Sequence, residues 1–361
     1  MRLTGEKSRD APSEVVVKFM SRGLPKGQDP GQFMRLFPGS VPGWGRCRFT
    51  FDVDCREYDW LVVYHDIPKD GKRLVELPLY CPRERTILIT PEPSSITVYG
   101  TDYLQQYGTI ITFQEPWVIS HPNVVYQYPG LVWYYGYSVN HGTYTTYDEL
   151  EAEQPEKSQL LSTVCSSRTG NVTLHSKRVS FTDQLKNDIT ELEIFGHGVR
   201  PMDDKAESLR PYQYHIVIEN HVAPHHLTEK LPDAFLGYTL PFYHGAPNGA
   251  EYFPRESFIP IDINDYQKSR DIIRSHIANN EYEDRLPYIR EARRRVLKEM
   301  NIFSIIDRQI SREPFQDAPF VEGRVLRNRP TMRIKNPVAG IRSLLEKGYV
   351  KLRHRATAFR D

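Results

Sequence analysis

At 361 residues the chain exceeds what one ordinary hydrophobic core sustains, so a pair of domains is expected. Hydrophobic residues make up 39% and charged residues 26%, the balance of a soluble globular protein; no apolar run approaches the ~20 residues of a membrane span, and no low-complexity tract or internal repeat is present. The net charge of +1 conceals an uneven distribution: residues 321–361 hold eleven Lys or Arg against three acids, a net of +8, leaving about −7 for the remainder.

Val15–Phe19 reads as a first buried strand, followed by a Gly/Pro-rich segment with a short helix around Phe33–Leu36. Cys47–Phe51 and Tyr58–Tyr64 are the next strands, the latter ending on His65-Asp66. Arg85–Ile89 is a further strand, running into Pro91-Glu92-Pro93, where two prolines forbid regular helix and hold the Glu92 carboxylate in a turn. A short helix over Val98–Gln106 and a strand over Tyr107–Phe113 follow. This series predicts a first α/β domain over residues 1–147, its strands complete by about Tyr137, and an acidic, apolar-poor linker at 148–158.

A second α/β domain is predicted over 159–313. It opens with a strand from Leu160 into Ser166-Ser167 and continues with a helix that places Phe181 and Leu185 on one face. Glu191–Phe195 is the next strand. His215–Ile218 is then a β-branched run that ends on Glu219-Asn220, after which Thr228-Glu229-Lys230 precedes the helical pattern of Leu231, Ala234 and Phe235. A strand, a polar edge and a helix start in this order form the place where open α/β sheets bind ligands. Tyr238–Tyr243 is another strand, Ser257–Ile261 a further apolar run, and from Tyr266 to about Ile310 the pattern is helical, with Ile289, Ala292, Val296 and Met300 on one face.

Residues 314–361 form the basic tail. Between Asn336 and Phe359, Val338, Ile341, Leu344, Leu345, Tyr349 and Leu352 alternate with Arg and Lys, an amphipathic pattern suited to an anionic membrane surface or, alternatively, to a solvated tail. No nucleic-acid motif accompanies the charge, so nucleic acid is not an expected partner. Cys47, Cys55, Cys81 and Cys165 lack CxxC spacing and read as reduced thiols. The opening MRLTGEKSRDAPSE has no signal-peptide apolar region, which leads to the expectation of a cytoplasmic protein that touches the inner membrane surface.

RPYQYHIVIEN, then LTEKLPDAFLGYTLPFYHGAP and ESFIPID, resembles the carboxyl-terminal signature of family-ten glycosyltransferases, the α-1,3/1,4-fucosyltransferases. PEPSS at Pro91–Ser95, VVYQYP at Val124–Pro129 and IFGHG at Ile194–Gly198 extend the likeness over roughly residues 58–290. His221 departs from it, standing where the family often has Ser. The resemblance implies two Rossmann-like domains facing across a cleft, the GT-B type, with a nucleotide sugar, GDP-fucose above others, on the second domain. It implies Arg178 and Lys230 at the diphosphate, Glu229 at the ribose, and Glu219, Asn220 and Thr228 beside them. Glu92 is implied as the base of an inverting transfer to a saccharide hydroxyl.

Residue chemistry is consistent with those roles. A diphosphate needs cations, which Lys230 and Arg178 supply, and an inverting transfer needs one base opposite the leaving group. His65, Asp66 and Glu115 are rivals to Glu92 at other strand ends, and Arg168 and Lys177 compete with Arg178. No DxD motif stands in a convincing site and His225-His226 lacks partners at useful spacing, so neither a metal nor any other cofactor is expected beyond the nucleotide-sugar co-substrate. Trp133–Tyr137 reads as packing at a domain edge, with stacking on a sugar acceptor as the alternative. The same fold with another donor, and a non-catalytic saccharide- or nucleotide-binding protein, are the alternative functions.

Overall fold

The computed structural model describes residues 14–69, 71–166, 175–312 and 320–358. A first sheet of seven strands is built from β1 (Val15–Ser21), β2 (Gly43–Trp44), β3 (Cys47–Thr50), β4 (Trp60–Tyr64), β6 (Thr86–Thr90), β7 (Thr109–Thr112) and β8 (Val124–Tyr126). Its order is β2-β3-β1-β4-β6-β7-β8, parallel throughout except for β2. β5 (Glu76–Pro78) lies outside it. The strands that read from the sequence as apolar runs are the buried ones: β4, β6 and β7 have almost no exposed side chain, as a parallel sheet covered on both faces requires. Short helices α1 (Gly31–Met34) and α2 (Thr101–Leu104) fill the crossovers.

The second sheet contains β9 (Gln159–Val164), β10 (Leu192–Phe195), β11 (Tyr212–Ile218), β12 (Leu240–His244) and β13 (Ile259–Pro260) in the order β10-β9-β11-β12-β13, all parallel. Counted within this sheet the order is 2-1-3-4-5, a doubly wound arrangement with its switch point between β9 and β11. The first sheet, setting aside its antiparallel edge β2, repeats the pattern and switches between β1 and β4. Two Rossmann-like halves of this kind, their switch points facing, form the GT-B type of fold read from the sequence.

The segment 148–158, expected to be an acidic, apolar-poor link, begins within α3 (Tyr147–Ala152). Thr146 and Glu149 close a capping box at its start, while Tyr147 and Leu150 are buried, so the acidic composition masks two anchors. The second half carries α4 (His175–Asp188), α5 (Lys230–Leu236), α6 (Tyr266–Ala278) and α7 (Glu281–Lys298), and is followed by α8 (Ile302–Arg312). The long helical run breaks at Asn280, whose φ of 53° is left-handed.

The placement of α8 revises the expected grouping of 159–313 as one unit. Its Phe303 stacks on Phe37 at 3.9 Å and packs edge-on to Phe49, so this helix crosses back onto the first sheet. The tail is likewise ordered where it is described: β14 (Val325–Arg327) pairs antiparallel with β5, and α9 (Arg329–Lys335) and α10 (Pro337–Ala358) pack against the first half near α2. None of the helices among the described residues is long and apolar enough to cross a membrane.

Candidate active site

Between the carboxyl ends of the two sheets lie two adjoining cavities. One of about 700 Å³ is lined by Arg22, His65, Glu92 and Tyr134 from the first half and by His221 and Lys230 from the second. The other, of about 460 Å³, reaches between β9, β11 and α4 and is lined by Arg178, Lys205 and Asn220 among others. Tyr134, Tyr137, Asn220, Glu229 and Lys230 line both, so the chambers share a wall.

On the second half the polar edge folds into a compact knot. Glu219 follows β11 directly and is fully buried; its carboxylate accepts hydrogen bonds from Thr228 N (2.8 Å) and Thr228 Oγ1 (2.6 Å), and Lys230 Nζ lies 3.3 Å away. The same Nζ donates to Thr228 Oγ1 at 2.8 Å and to Glu229 at 3.3 Å. Burial works against a charged Lys230, but the carboxylates of Glu219 and Glu229 prevail and raise its pKa. Burial likewise opposes ionisation of Glu229, and the charges of Lys230 and Lys205 overcome it and hold its carboxyl well below the usual range. Backbone packing leaves no slack here: a Cβ on Gly245, in the turn after β12, would lie 2.2 Å from the Tyr243 hydroxyl and 2.7 Å from Glu219 Cγ.

Two sequence-based roles change in this geometry. Glu219 lines neither cavity; it is covered by Thr228 and acts by holding Lys230, not by touching a ligand. The helix start is also a poorer anion site than its Thr-Glu-Lys pattern implies. α5 has seven residues, and Pro232 removes one of the free N–H groups of its first turn, so the Lys230 ammonium carries the positive charge.

Arg178, 8% exposed, extends from α4 beneath the second cavity. Its Nη1 donates to Asn220 Oδ1 and its Nη2 to the Val164 carbonyl at 3.3 Å, while its Nε is buried without a partner among the described residues. A guanidinium with an unmet donor beside an open chamber fits an oxygen-rich anion. Lys177 is turned away onto Asn264 at 2.9 Å, and Arg168 and Ser167 lie outside the described residues.

On the first half, Glu92 is half-buried in its Pro-fenced turn, held through its backbone: Gln114 Nε2 donates to the Glu92 carbonyl at 2.7 Å and to Thr97 O at 2.8 Å. Among the described residues its carboxylate accepts no hydrogen bond. Burial, and then the charge of Glu229 across the cleft, raise its pKa, with Arg22 and Arg329 pulling the other way. The rivals are occupied. Asp66 is buried and accepts from Tyr103 Oη (2.8 Å) and Arg329 Nε (3.1 Å). Glu115 accepts from His221 Nε2 (3.0 Å) and Ser94 Oγ (2.6 Å); burial opposes its ionisation, yet these bonds bring its pKa down to about 2. His65, with left-handed φ of 71°, uses both ring nitrogens, on Tyr99 Oη (2.8 Å) and Arg22 (3.2 Å), and burial followed by the Arg329 and Arg22 charges lowers it to about 4.

Trp133 and Tyr135 are core residues, whereas Tyr134 is exposed on the shared wall. His225 and His226 point apart: His225 Nδ1 meets Tyr252 Oη at 2.6 Å, and His226 is buried against Phe113 and His221. No three His, Cys, Asp or Glu side chains converge on a metal position among the described residues. The sequence reading missed Gln114 and Arg329. Gln114 follows a strand end as an unremarkable polar residue, and Arg329 comes 263 positions after its partner Asp66.

Facing switch points, with Arg178 and Lys230 on one side and on the other a Glu92 carboxylate unbonded among the described residues, define an α/β protein of two parallel sheets with a charged cleft between them. Residues 154–284, the half that carries the cations, match the family model described as glycosyltransferase family 10 (fucosyltransferase) C-term. Alpha-(1,3)-fucosyltransferase FucT of Helicobacter pylori is 33% identical over 93 residues, which cover 25% of this chain and 19% of that relative, so about a fifth of the relative's length is spanned. Among solved structures, an α1,3-fucosyltransferase with GDP-fucose is 15% identical, with 83% of this chain and 95% of that one covered and a TM-score of 0.45. A second α1,3-fucosyltransferase structure gives 16%, 89%, 96% and 0.47, and a GtfA/B complex gives 11%, 72%, 58% and 0.37.

Proposed function

We propose that the protein is an inverting glycosyltransferase that moves fucose from GDP-fucose to a hydroxyl of a surface saccharide. The observation that carries the reading is the opposition of Glu92, its carboxylate unbonded among the described residues and raised in pKa, to Arg178 and Lys230 across two adjoining cavities that share a wall. The family match on the second half and the name of the Helicobacter pylori relative support fucose as the sugar.

In this reading the diphosphate lies against Arg178 and Lys230, with Glu229 accepting the ribose hydroxyls. The acceptor enters the larger chamber. Glu92 takes the proton from its hydroxyl as that oxygen bonds to the anomeric carbon, and the bond from that carbon to the diphosphate oxygen breaks on the opposite face. Inversion follows from base and leaving group standing on opposite sides. The charge that develops on the diphosphate is met by the two side-chain cations, so the transfer is proposed to be metal-independent, and undiminished turnover in EDTA is expected.

A thermal-shift and donor-turnover screen over GDP, GDP-fucose, UDP and UDP-sugars tests this. Stabilisation by GDP and GDP release from GDP-fucose are expected; no stabilisation by any nucleotide overturns the reading, and stabilisation by UDP alone removes fucose.

The tail is proposed to rest on anionic lipid at the inner membrane face, which favours a lipid-linked saccharide acceptor. Val338, Ile341, Leu344, Leu345, Tyr349 and Leu352 of α10 are each more than half exposed, with Lys347, Lys351 and Arg355 among them. Replacing Ile341, Leu345 and Leu352 by Asp should abolish sedimentation with phosphatidylserine vesicles; unchanged sedimentation refutes the attachment.

A further inference from the structure

The turn that carries Glu92 is held at three points, and one of them comes from the end of the chain. β7 leads into Gln114 and Glu115, adjacent residues that both serve the turn. Gln114 fixes its backbone through the carbonyls of Glu92 and Thr97. Glu115 accepts the hydroxyl proton of Ser94, two residues beyond Glu92, at 2.6 Å. Ser94 is 2% exposed, and its oxygen lies 2.7 Å from His354 Nε2 on α10. Because the Ser94 hydrogen is committed to the Glu115 carboxylate, the serine oxygen must accept, so His354 Nε2 donates. The chain of bonds runs from His354 to Ser94 to Glu115, where His221 of the second half also donates. The His354 ring is confined by Trp117 at 5.3 Å and His221 at 5.7 Å, both edge-on.

We infer that His354 is a positioning residue for Glu92, and that α10 is a working part of the active site as well as its surface helix. Among the described residues the carboxylate itself has no bonded partner, so its direction depends on the turn beneath it. Without His354 the Ser94 oxygen loses its half-buried donor, and the turn keeps Gln114 and Glu115 but loses its hydrogen bond from α10. A displacement of a base by about 1 Å is enough to cost on the order of 10²-fold in rate. The inference rests on Glu92 being the base.

The test uses the full chain with GDP-fucose and an oligosaccharide acceptor array. His354→Ala should lower kcat about ten-fold while the KM for GDP-fucose stays within about two-fold, because the donor cations are untouched. His354→Gln, whose amide N–H can reach Ser94, should recover more than half of kcat. In a double-mutant cycle, Ser94→Ala combined with His354→Ala should be no slower than Ser94→Ala alone. Amide exchange across residues 91–99, which needs no turnover, should quicken about ten-fold in His354→Ala and not in His354→Gln. Unchanged kcat and exchange in His354→Ala overturn the inference, as does His354→Gln failing as badly as His354→Ala, or a loss confined to the donor KM. Full turnover by Glu92→Gln would instead remove the base reading beneath it; an inactive Glu92→Gln beside a wild-type His354→Ala would remove the positioning role alone.

Discussion

Replacing Lys230 by Met separates what this residue does for the fold from what it does for a ligand. Met keeps the aliphatic stem and removes the ammonium. Of the two carboxylates left behind, Glu229 is 21% exposed and keeps the charge of Lys205, whereas Glu219 has no exposure to water and cannot recover its lost partner by solvation. Removing one member of a buried ion pair costs about 3–5 kcal/mol. Glu219 retains both Thr228 donors, at 2.8 and 2.6 Å, and the Lys230 side chain is 21% exposed, so about 2–3 kcal/mol is expected here. Urea unfolding followed by tryptophan fluorescence measures it as a shift in midpoint. The companion variant, Glu219→Gln with Lys230→Met, removes the stranded charge while Gln keeps an acceptor for Thr228, and should return to within about 1 kcal/mol of wild type. GDP affinity should nonetheless fall at least about ten-fold in both variants, a loss of ~1.4 kcal/mol, since neither restores the cation. Wild-type stability in the single variant, or a double variant no more stable than the single, refutes the burial argument. Wild-type GDP affinity in both would refute the phosphate role while leaving the burial argument standing.

Glu92→Gln should lower kcat by about 10²–10⁴-fold with GDP binding, measured by calorimetry, unchanged. Since Glu92 must be ionised to accept a proton, and burial and the Glu229 charge raise its pKa, the acidic limb of kcat/KM should have its midpoint above the ordinary 4.5. Activity is then lost as pH falls through that raised value. Glu229→Gln removes one of the causes and should move the limb to lower pH; a limb that stays put points to a different base. Arg178→Lys should weaken GDP about ten-fold, because one ammonium nitrogen cannot stand at the separate positions from which the guanidinium reaches Asn220, the Val164 carbonyl and a phosphate, and equal affinity by titration calorimetry would contradict this.

The parallel strands were legible because burial on both faces leaves a continuous apolar run, Ile216–Ile218 within the strand read at His215–Ile218 and Ile87–Ile89 within that read at Arg85–Ile89, and each run pointed to the polar residues at its carboxyl end. β5, β8 and β14 were not: three residues each, none of them a wholly buried run, they carry no periodicity to detect. The helix α10 was visible in its apolar spacing, but nothing in that spacing says that it packs beside Glu92. Arg178 and Lys230 are singled out by the family resemblance and by the cations a diphosphate would need, and Glu92 by the two prolines that fence it; all three line the chambers. Glu219 was misread in role because a polar residue at a strand end looks the same whether the next loop leaves it open or folds back over it. Here Thr228, nine residues on, folds back. Gln114 and His354 escaped because a residue that holds a backbone turn from elsewhere leaves no local pattern.

The placement of the two chambers also depends on a strut that belongs to neither sheet. Asp233, fully buried on α5, accepts the backbone N–H groups of Tyr134 (3.1 Å) and Tyr135 (3.2 Å) and pairs with Lys205 at 2.8 Å. From the other side Arg35, also without exposure, donates to the carbonyls of Trp133 (3.3 Å) and Tyr135 (2.6 Å). One buried charge from each half thus holds two residues of this segment by their backbone, Asp233 taking Tyr134 and Tyr135, Arg35 taking Trp133 and Tyr135, so that both meet at Tyr135. The core runs through them as well, from Phe19 and Phe37 past Trp133 and Tyr135 to Phe235 and α8. A buried charge is costly to free, so neither half can draw away from Trp133–Tyr135 without exposing or stranding one. The separation between Glu92 and the cations is therefore set by packing rather than by an open hinge, and Tyr134, carried on the strut, stands at the junction between the two chambers because both of its neighbours are buried in it.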